Sequence, residues 1–442
     1  MTVVRAAVTA IGALTAAGEG HRPLWDDVCA GTCRAAPRSL PAPPGLPAAE
    51  PVHLAALPPP AAEKYLGRRG LRVLSRESTA LAVAAALACC EGGLPHGPDR
   101  DDPGTGVAAG TTSAGLDAYV ELFAARLSDG VRGVNPALGP QTGLNAPAAT
   151  VSIFLGAAGP NLTFASGRAA ALDALGAGLR AVRSGECAVM LAGGVQTLGH
   201  AELTAARTGD PSFGTVSVAR PFDRDRAGAV PGEAAVVLAL EEVDHATRRG
   251  AVPLAEMLGA GSAAADDGAA NGSAADGGTA DGGADAARRA VEAALAEAGA
   301  GPEEVDAVFV SACGDRGVDA AEAHALHALW PDGGVPVCAV SGVLGDCAGA
   351  QGAVQTAAAV VALRHGVVPG TAGVRTVDPA LPRLALDSVA RRRRLRRVLV
   401  LAVDAGGVAG ALLLGEGRAA GPPGVAAVGR SSANRPPEER TP

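Results

Sequence analysis

The sequence has few aromatic side chains and a single lysine. Aromatic residues occupy 2% of its 442 positions, although apolar residues as a whole occupy 48%. A core of this composition must be packed from small side chains, and the 61 glycines indicate that backbones approach one another closely. Because Lys64 is the only lysine, any mechanism that needs a buried lysine elsewhere in the chain is excluded.

A long apolar run, a paired-cysteine motif and an excess of positive charge are also missing. No apolar stretch approaches the ~18 residues that a membrane span requires. The 37 basic and 45 acidic residues give a net charge of −8, which argues against a general nucleic-acid binder. The eight cysteines form no C-x-x-C pair, so free thiols in a reducing cytoplasm are expected.

The N-terminal segment superficially resembles a signal peptide. Its apolar stretch is interrupted by Thr9, Gly12 and Thr15, and only one charge, Arg5, precedes it. A buried first strand over residues 3–11 explains the pattern better, so the protein is expected to be soluble and cytoplasmic.

Ala- and Leu-rich stretches of helical period alternate with short β-branched runs. Helices are predicted over 79–90, 169–183, 286–298, 319–329 and 352–363. Buried strands are predicted over 189–192, 235–240, 307–310, 335–340 and 398–403. Such alternation is typical of parallel β-α-β units whose sheets are covered on both faces, so an α/β fold is expected.

Both halves of the chain end in similar sequence. VMLAGG at 189–194 is followed by AAVVLALEE, and VLVLAVDAGG at 398–407 is followed by GALLLGEG. This distant repeat predicts two duplicated halves, over 1–250 and 251–416. Segment 262–285, rich in Gly, Ala and Asp, is expected to be a flexible loop, and segment 417–442 a disordered tail.

The most specific motif is ARPFDRDRAGAVPGEAAVVLALEE at 219–242. It resembles the RPFD-x-x-R-x-G-x-x-x-GE signature of β-ketoacyl synthases, the condensing enzymes of thiolase fold, and its charge pattern predicts an arginine–carboxylate-braced turn. Further similar segments extend the resemblance over residues 3–415. It implies a five-layered α-β-α-β-α sandwich. The matching signature residues are Arg220, Pro221, Phe222, Asp223, Arg226, Gly228, Gly232 and Glu233.

The chemistry of that family uses a thiolate at a helix N-terminus, two histidines and a lysine. The thiolate takes an acyl group from a carrier protein, the histidines assist decarboxylation of malonyl, and backbone N–H groups form an oxyanion hole. An alignment on LDAL indicates that all four residues are replaced. The aligned positions are Arg168 for the cysteine, Cys313 and Asp346 for the histidines, and Ser341 for the lysine.

The chain-length factor, or ketosynthase β subunit, of type II polyketide synthases is a branch of the family with this loss. GTTSAGLDAYVELF at 110–123 is similar to a segment of that branch. The resemblance implies a heterodimer with an active ketosynthase α subunit, and no cofactor, because acyl chains arrive on the phosphopantetheine of a partner acyl carrier protein. That branch commonly has glutamine at the position of Arg168, so a related polyene-forming system stays open.

Several residues allow a functional or an ordinary structural interpretation. A cation at a helix N-terminus is unfavourable by roughly 0.3–1 kcal/mol unless it is paired, so Arg168 either plugs the former active site beside Asp346 or lies on the surface. Cys313 is expected to be a small core thiol. His324 and His327 share a helix face, but without further ligands no metal site is expected.

Two surfaces are assigned through the resemblance. Leu116, Tyr119 and Phe123 lie at i, i+3 and i+7, for which core packing is the usual explanation, whereas the resemblance implies an acyl tunnel. The resemblance also implies dimerisation through strand 161–165 and flanking loops over 139–154. The run RRRRLRR at 391–397 either attracts an acidic carrier protein or is a solvated approach to the next strand.

Three interpretations of function remain open. The first, which we favour, is a non-catalytic ketosynthase-like subunit that shapes a polyketide tunnel. The second is an acyltransferase with another nucleophile, such as Cys313 or a serine. The third is a homodimeric scaffold that meets no acyl chain.

Overall fold

The computed structural model describes residues 4–43, 46–210, 212–265 and 278–417. The strands are β1 (Ala6–Thr15), β2 (Gly18–Glu19), β3 (Ala36–Arg38), β4 (Val52–Leu54), β5 (Thr105–Gly110), β6 (Asn161–Phe164), β7 (Val189–Gln196), β8 (Ala234–Glu242), β9 (Ala255–Ala264), β10 (Ala307–Val310), β11 (Pro336–Ala339), β12 (Val367–Val368), β13 (Ala385–Leu386), β14 (Arg391–Arg392), β15 (Arg397–Val403) and β16 (Val408–Glu416). The helices are α1 (His21–Ala30), α2 (Ala62–Leu66), α3 (Arg76–Gly92), α4 (Leu116–Asp129), α5 (Ala146–Leu155), α6 (Ala170–Ser184), α7 (His200–Gly209), α8 (Val243–Arg248), α9 (Gly278–Ala298), α10 (Arg316–Leu329), α11 (Ser341–Leu344) and α12 (Gln351–His365).

One large mixed sheet runs through the described chain in the order β13-β11-β10-β15-β16-β9-β1-β8-β7-β5-β6, and β2 pairs with β1. The order of β1, β8, β7, β5 and β6 is repeated by β9, β16, β15, β10 and β11. In each half three strands are parallel, β7-β5-β6 and β15-β10-β11, while β8 or β16 is antiparallel to its neighbours. The expected duplication of an α/β unit is therefore confirmed.

The helices lie in three layers that alternate with the two halves of the sheet. In the central layer, α6 contacts β5 and β7 of the first half and β9 and β16 of the second, and α12 contacts β8 and β15. The outer face of the first half is covered by α3 and α5, and that of the second by α9 and α10. This is the five-layered α-β-α-β-α sandwich of the thiolase-like fold.

Close contact between layers requires the small residues that dominate the composition. A Cβ added to Gly12 of β1 would lie 1.8 Å from the carbonyl oxygen of Ala84 in α3. A Cβ added to Gly110 of β5 would lie 2.3 Å from the backbone nitrogen of Ala171 in α6. These contacts leave no room for a methyl group, and they bring helix and strand backbones together as expected.

The ten predicted helices and strands are present, but the loop predicted over 262–285 is wrong at both ends. Strand β9 continues to Ala264, which still pairs with Val408 of β16. Helix α9 begins at Gly278, and Asp285 within it forms ion pairs with the guanidinium groups of Arg288 and Arg289, which support helices at this spacing. Positions 266–277, and the predicted tail beyond Gly417, lie outside the described residues.

The first strand is β1, which runs four residues further than predicted, to Thr15. The division of the chain at residue 250 stays a prediction. None of the helices in the described ranges has an apolar stretch long enough to cross a bilayer. All eight cysteines are free thiols, of which Cys33 and Cys90 are exposed.

Candidate functional site

The candidate site lies at the turn between the edge strand β6 and the buried helix α6. Position 167 requires glycine, because its φ is +61° and a Cβ there would lie 2.2 Å from Asp404 Oδ1. A short 3₁₀ turn, Gly167–Ala169, then leads into α6. Arg168 is therefore held at the start of the central helix layer, between the two halves of the sheet.

Most of the Arg168 side chain is buried, and it is paired with Asp346. Its Nε and Nη2 atoms donate to Asp346 Oδ2 at 3.0 and 2.5 Å, and its Nη1 lies 3.8 Å from Asp404 Oδ1. The side chains of Arg168 and Asp346 are 14% and 8% exposed. Burial alone would lower the pKa of Arg168, but the nearby carboxylates outweigh it and raise that pKa. The guanidinium therefore stays charged, as in the plug interpretation.

Cys313 lies beside this ion pair, and Ser341 contacts the residue that precedes Cys313. Cys313 Sγ is 3.8 Å from Arg168 Nη2 and has no exposed surface. Burial raises the pKa of the Cys313 thiol well above its usual value, although Arg168 opposes the shift, so the thiol is neutral. The hydroxyl of Ser341 donates to the carbonyl oxygen of Ala312, next to Cys313. The structure thus brings together all four residues that the alignment on LDAL indicated.

Asp404 belongs to the same cluster, although the sequence analysis did not select it. It directly follows strand β15 and begins the DAGG loop, and its Oδ1 accepts a 3.1 Å hydrogen bond from the backbone N–H of Arg168. The two residues are 236 positions apart, so no local pattern connects them. The available signal was an acidic residue at the end of a buried strand, directly before a glycine turn.

Comparison with known proteins gives the family. The model of the N-terminal domain of β-ketoacyl synthase matches residues 4–246, and that of the C-terminal domain matches residues 255–375. The chain belongs to the β-ketoacyl synthase family. The sequence resemblance alone assigns positions of this site to the catalytic residues of the family.

Individual relatives connect this β-ketoacyl synthase homologue to polyketide synthesis. It is 31% identical over 446 residues to the actinorhodin polyketide beta-ketoacyl synthase 1 of Streptomyces coelicolor, covering 94% of this chain and 90% of that one. It is 29% identical over 408 residues to Nodulation protein E of a Rhizobium species (strain N33), covering 89% and 95%. The solved ishigamide ketosynthase/chain length factor is 26% identical, with a TM-score of 0.82 and coverage of 94% and 100%. The protein is thus related to the ketosynthases and chain length factors of type II polyketide synthases.

The β-ketoacyl synthase signature packs against the loop that carries Cys313 and holds it in place. Asp319 of α10 accepts hydrogen bonds from the backbone N–H groups of Phe222 at 2.7 Å, Cys313 at 2.9 Å and Gly314 at 3.2 Å. Arg226 of the signature donates to Asp378 Oδ2 at 2.6 Å. The signature is therefore an arginine–carboxylate-braced turn, as predicted, and it fixes the loop that carries Cys313.

Asp319 and Glu322 are two buried carboxyl groups near this turn that no sequence motif indicated. Burial raises the pKa of Asp319 to about 7, despite its three backbone donors, and raises the pKa of Glu322 to about 8. Glu322 accepts hydrogen bonds from the backbone N–H and the hydroxyl of Ser311. The only sequence signal was the i, i+3 spacing of two acids on one helix.

Other candidate nucleophiles are engaged in structural hydrogen bonds. The Ser166 hydroxyl donates to Asp173, and the Ser113 hydroxyl accepts from the Gln196 amide at 3.0 Å. His324 and His327 are both exposed on α10. Among the described residues, no group of three or more His, Cys, Asp or Glu side chains is placed to hold a metal ion.

The stripe on α4 does not pack in the core, so that explanation is wrong. No residue of α4 is buried, and Tyr119 and Phe123 are 56% and 54% exposed. Their rings stack with centroids 6.3 Å apart, and the exposed apolar face continues to Leu127 and Val131. A helix of a β-ketoacyl synthase homologue that exposes so much apolar surface is typical of a subunit contact.

The predicted interface strand is the edge of the large sheet. Of the strands in the described ranges, only β5 pairs with β6. The flanking segment 139–154, which was predicted as loops, is largely helical. Helix α5 begins at Ala146 with Pro147 in its first turn, and Gly156 in the left-handed conformation ends it. Three large apolar side chains are exposed along this edge, and we refer to them as the edge surface: Leu144, Ile153 and Leu162.

The arginine run leads into β15, as one of its two interpretations predicted. Arg391–Arg392 form β14, which pairs with β12, and Arg397 begins β15 and is ion-paired with Glu304. The backbone N–H of Arg393 donates to Gly366, just beyond the end of α12. The run therefore lies at the opposite end of α12 from the candidate site, and attraction of a carrier protein stays a prediction.

Proposed function

We propose that this protein is a non-catalytic ketosynthase-like subunit, a chain-length factor, of a type II polyketide synthase. It would pair with an active ketosynthase and shape the tunnel in which malonyl units are condensed on an acyl carrier protein. In this proposal it has no cofactor of its own, because the acyl chain is carried on the phosphopantetheine of the carrier protein.

The ion pair at the candidate site is the observation that carries the proposal. Condensation needs a thiolate, and groups that stabilise an enolate, at one place. The positions that the alignment on LDAL assigns to these groups instead hold a guanidinium fixed by Asp346, a neutral buried thiol at Cys313, and a serine hydroxyl directed at a backbone carbonyl. None of these groups can both attack a thioester and stabilise an enolate, so the chemistry must come from another subunit.

The exposed apolar surface supports a permanent partner. The edge surface and the α4 stripe are joined through residues 136–142, which contact α4 and lead into α5. Such a surface beside an unpaired strand edge invites strand pairing with a second subunit. We propose an active ketosynthase as this partner, because the similar ishigamide structure is a ketosynthase/chain length factor.

The two other interpretations lose support from the same geometry. An acyltransferase that uses Cys313 would need an accessible thiolate, whereas this thiol has no exposed surface. A homodimeric scaffold would use the edge surface equally well, so it differs from our proposal in the partner it selects and in having no effect on acyl products.

Co-expression with a ketosynthase from the same cluster of genes tests the proposal. We expect the two chains to elute from size-exclusion chromatography as one heterodimer, and we expect turnover of malonyl-carrier protein only from the heterodimer. Losing one positioned catalytic group typically costs about 10²–10⁴-fold, so the isolated chain should show no useful rate.

A matched pair of variants makes this experiment specific for the edge surface. Ile153 and Val252 are both 68% exposed, but only Ile153 lies on the edge surface. The I153E variant should elute without the ketosynthase, whereas V252E should still co-elute with it. Co-elution of I153E would contradict the proposed interface, and condensation by the purified chain alone would contradict the proposed loss of catalysis.

A further inference from the structure

The carboxylate of Asp404 is held at both of its oxygen atoms. Oδ1 accepts the backbone N–H of Arg168 at 3.1 Å, and Oδ2 accepts the backbone N–H of Gly406 at 3.0 Å. The surrounding turn is closed by hydrogen bonds from the Asp404 N–H to Val408 and from the Gly407 N–H to Asp404. The carboxylate is therefore fixed in place over the start of α6.

Asp404 accepts the backbone N–H of Arg168, which is a donor that the oxygen of a bound acyl group would need. The first N–H groups of a helix have no partner within the helix and are free to bind an oxyanion. The backbone N–H and the side chain of a residue are attached to neighbouring atoms, so they lie close together. An acyl group carried by the side chain at position 168 therefore has its oxygen within reach of this N–H. A carboxylate at that point both takes the donor and repels negative charge that develops on the acyl oxygen.

Asp346 and Asp404 differ in what they block. Asp346 Oδ2 contacts the guanidinium of Arg168 but not its backbone. Asp346 Oδ1 accepts the backbone N–H of Ala348 at 3.0 Å. Asp404 reaches the backbone of Arg168 and is more exposed, at 28% against 8% for Asp346. Replacing the arginine would remove the partner of Asp346 but would leave Asp404 on the N–H.

We propose that Asp404 is a positioning residue that closes the oxyanion site of this chain to acyl thioesters, whatever side chain occupies position 168. The proposal deepens the proposed function, since it rests on the site being inactive and says why restoring a thiol alone does not reopen it. We accordingly expect the R168C variant not to condense malonyl units.

Thioester exchange and alkylation of the R168C variant separate the two carboxylates. In the exchange, the new thiolate attacks the carbonyl carbon of a hexanoyl N-acetylcysteamine thioester; a new C–S bond forms, the old one breaks, and N-acetylcysteamine leaves as the thiol. This step builds charge on the acyl oxygen and needs the N–H. Alkylation by iodoacetamide displaces iodide, so it reports on the thiolate but not on the oxyanion site.

The readout is the ratio of the acylation rate to the alkylation rate at position 168, measured by peptide mass spectrometry because the native cysteines also react. We expect R168C/D404A to raise this ratio about 10-fold or more over R168C, since one oxyanion donor is typically worth 10²–10³-fold. We expect R168C/D346A to raise both rates together, because it removes charge without freeing the N–H. R168C/D404G serves as a second variant if the alanine variant does not fold.

An unchanged ratio in the folded D404A or D404G double variant would overturn the proposal, as would an equal rise of the ratio in R168C/D346A. Neither result depends on a partner subunit. Condensation by the unmodified chain would instead contradict the proposed function, and it is measured separately.

Discussion

At the scale of single residues, the buried ion pair of Arg168 and Asp346 depends on both of its partners. Removing one partner of a buried pair leaves an uncompensated charge, which typically costs about 3–5 kcal/mol. We therefore expect Arg168→Met to lower the free energy of unfolding by an amount of that order, measured by urea denaturation. Adding Asp346→Asn to that variant should restore part of the loss, because no unpaired carboxylate of Asp346 then remains.

The chain offers a matched control for this experiment. Arg68 donates to Glu63 at 3.1 Å in a pair whose side chains are 85% and 66% exposed. Exposed pairs contribute about 0–1 kcal/mol, so Arg68→Met should have a small effect. If Arg168→Met destabilised the protein no more than Arg68→Met, the ion pair would not be the brace that its burial indicates.

The sequence suggested Asp346 as a partner for Arg168 but left their pairing open, and it gave no role for Asp404. A cation at a helix N-terminus needs a carboxylate, and the resemblance placed both residues in one site, but only the structure shows that they pair. Asp404 and Asp319 act through backbone N–H groups of residues that are distant in sequence or lie in a turn. Such contacts leave no residue-type signal at the donor, because every residue except proline carries an N–H.

At the scale of secondary structure, α4 is a helix without a buried residue, and we propose that its apolar stripe borders the tunnel where the two subunits meet. Phe123→Ala should lengthen and Leu116→Trp should shorten the polyketide made by the heterodimer, since they enlarge and reduce the space along α4. Condensation itself should persist, because in the proposed heterodimer the reacting groups lie in the partner. Mass analysis of the products measures both effects.

Glu121 provides the control on the same helix. Glu121 is exposed and lies between Tyr119 and Phe123 in the sequence. Glu121→Ala therefore changes α4 without altering the apolar face. We expect its products to match those of the unmodified protein. Unchanged product length in both Phe123→Ala and Leu116→Trp would remove α4 from the tunnel.

The elements themselves were largely predictable, whereas the surroundings of α4 were not. Helix and strand segments such as 352–363 and 398–403 lie wholly inside the sandwich, so their local period and length identify them. An apolar stripe at i, i+3 and i+7 has the same period whether a core or another subunit covers it. A single sequence therefore cannot separate the two cases, and the exposure of Tyr119 decided between them.

At the scale of the whole molecule, stability should fall as the pH rises. Burial raises the pKa of Glu202 and Glu322 to about 8 and that of Asp319 to about 7. Unfolded carboxyl groups titrate near ~4, so between about pH 4 and 8 the folded state holds protons that the unfolded state has lost. The stabilisation is complete below this window and is lost as the pH rises through it.

We expect the melting temperature, followed by circular dichroism, to be lower at about pH 9 than at about pH 6. Glu322→Gln keeps an oxygen acceptor for Ser311 without a titrating group, so this difference should become smaller. Glu121→Gln, on the surface, should leave it unchanged. An equal pH dependence in Glu322→Gln and the unmodified protein would show that Glu322 titrates normally.

The pairing of β1 has a consequence for the order in which the protein is made. All ten residues of β1 are buried, and its long-range partners are β8 and β9. The ribosome must add roughly 220 residues before β8 emerges, which takes about 10–45 s at typical rates of translation. For that time the first apolar strand of the nascent chain can pair only with the two-residue strand β2, so its synthesis should depend on chaperones that hold the N-terminal segment.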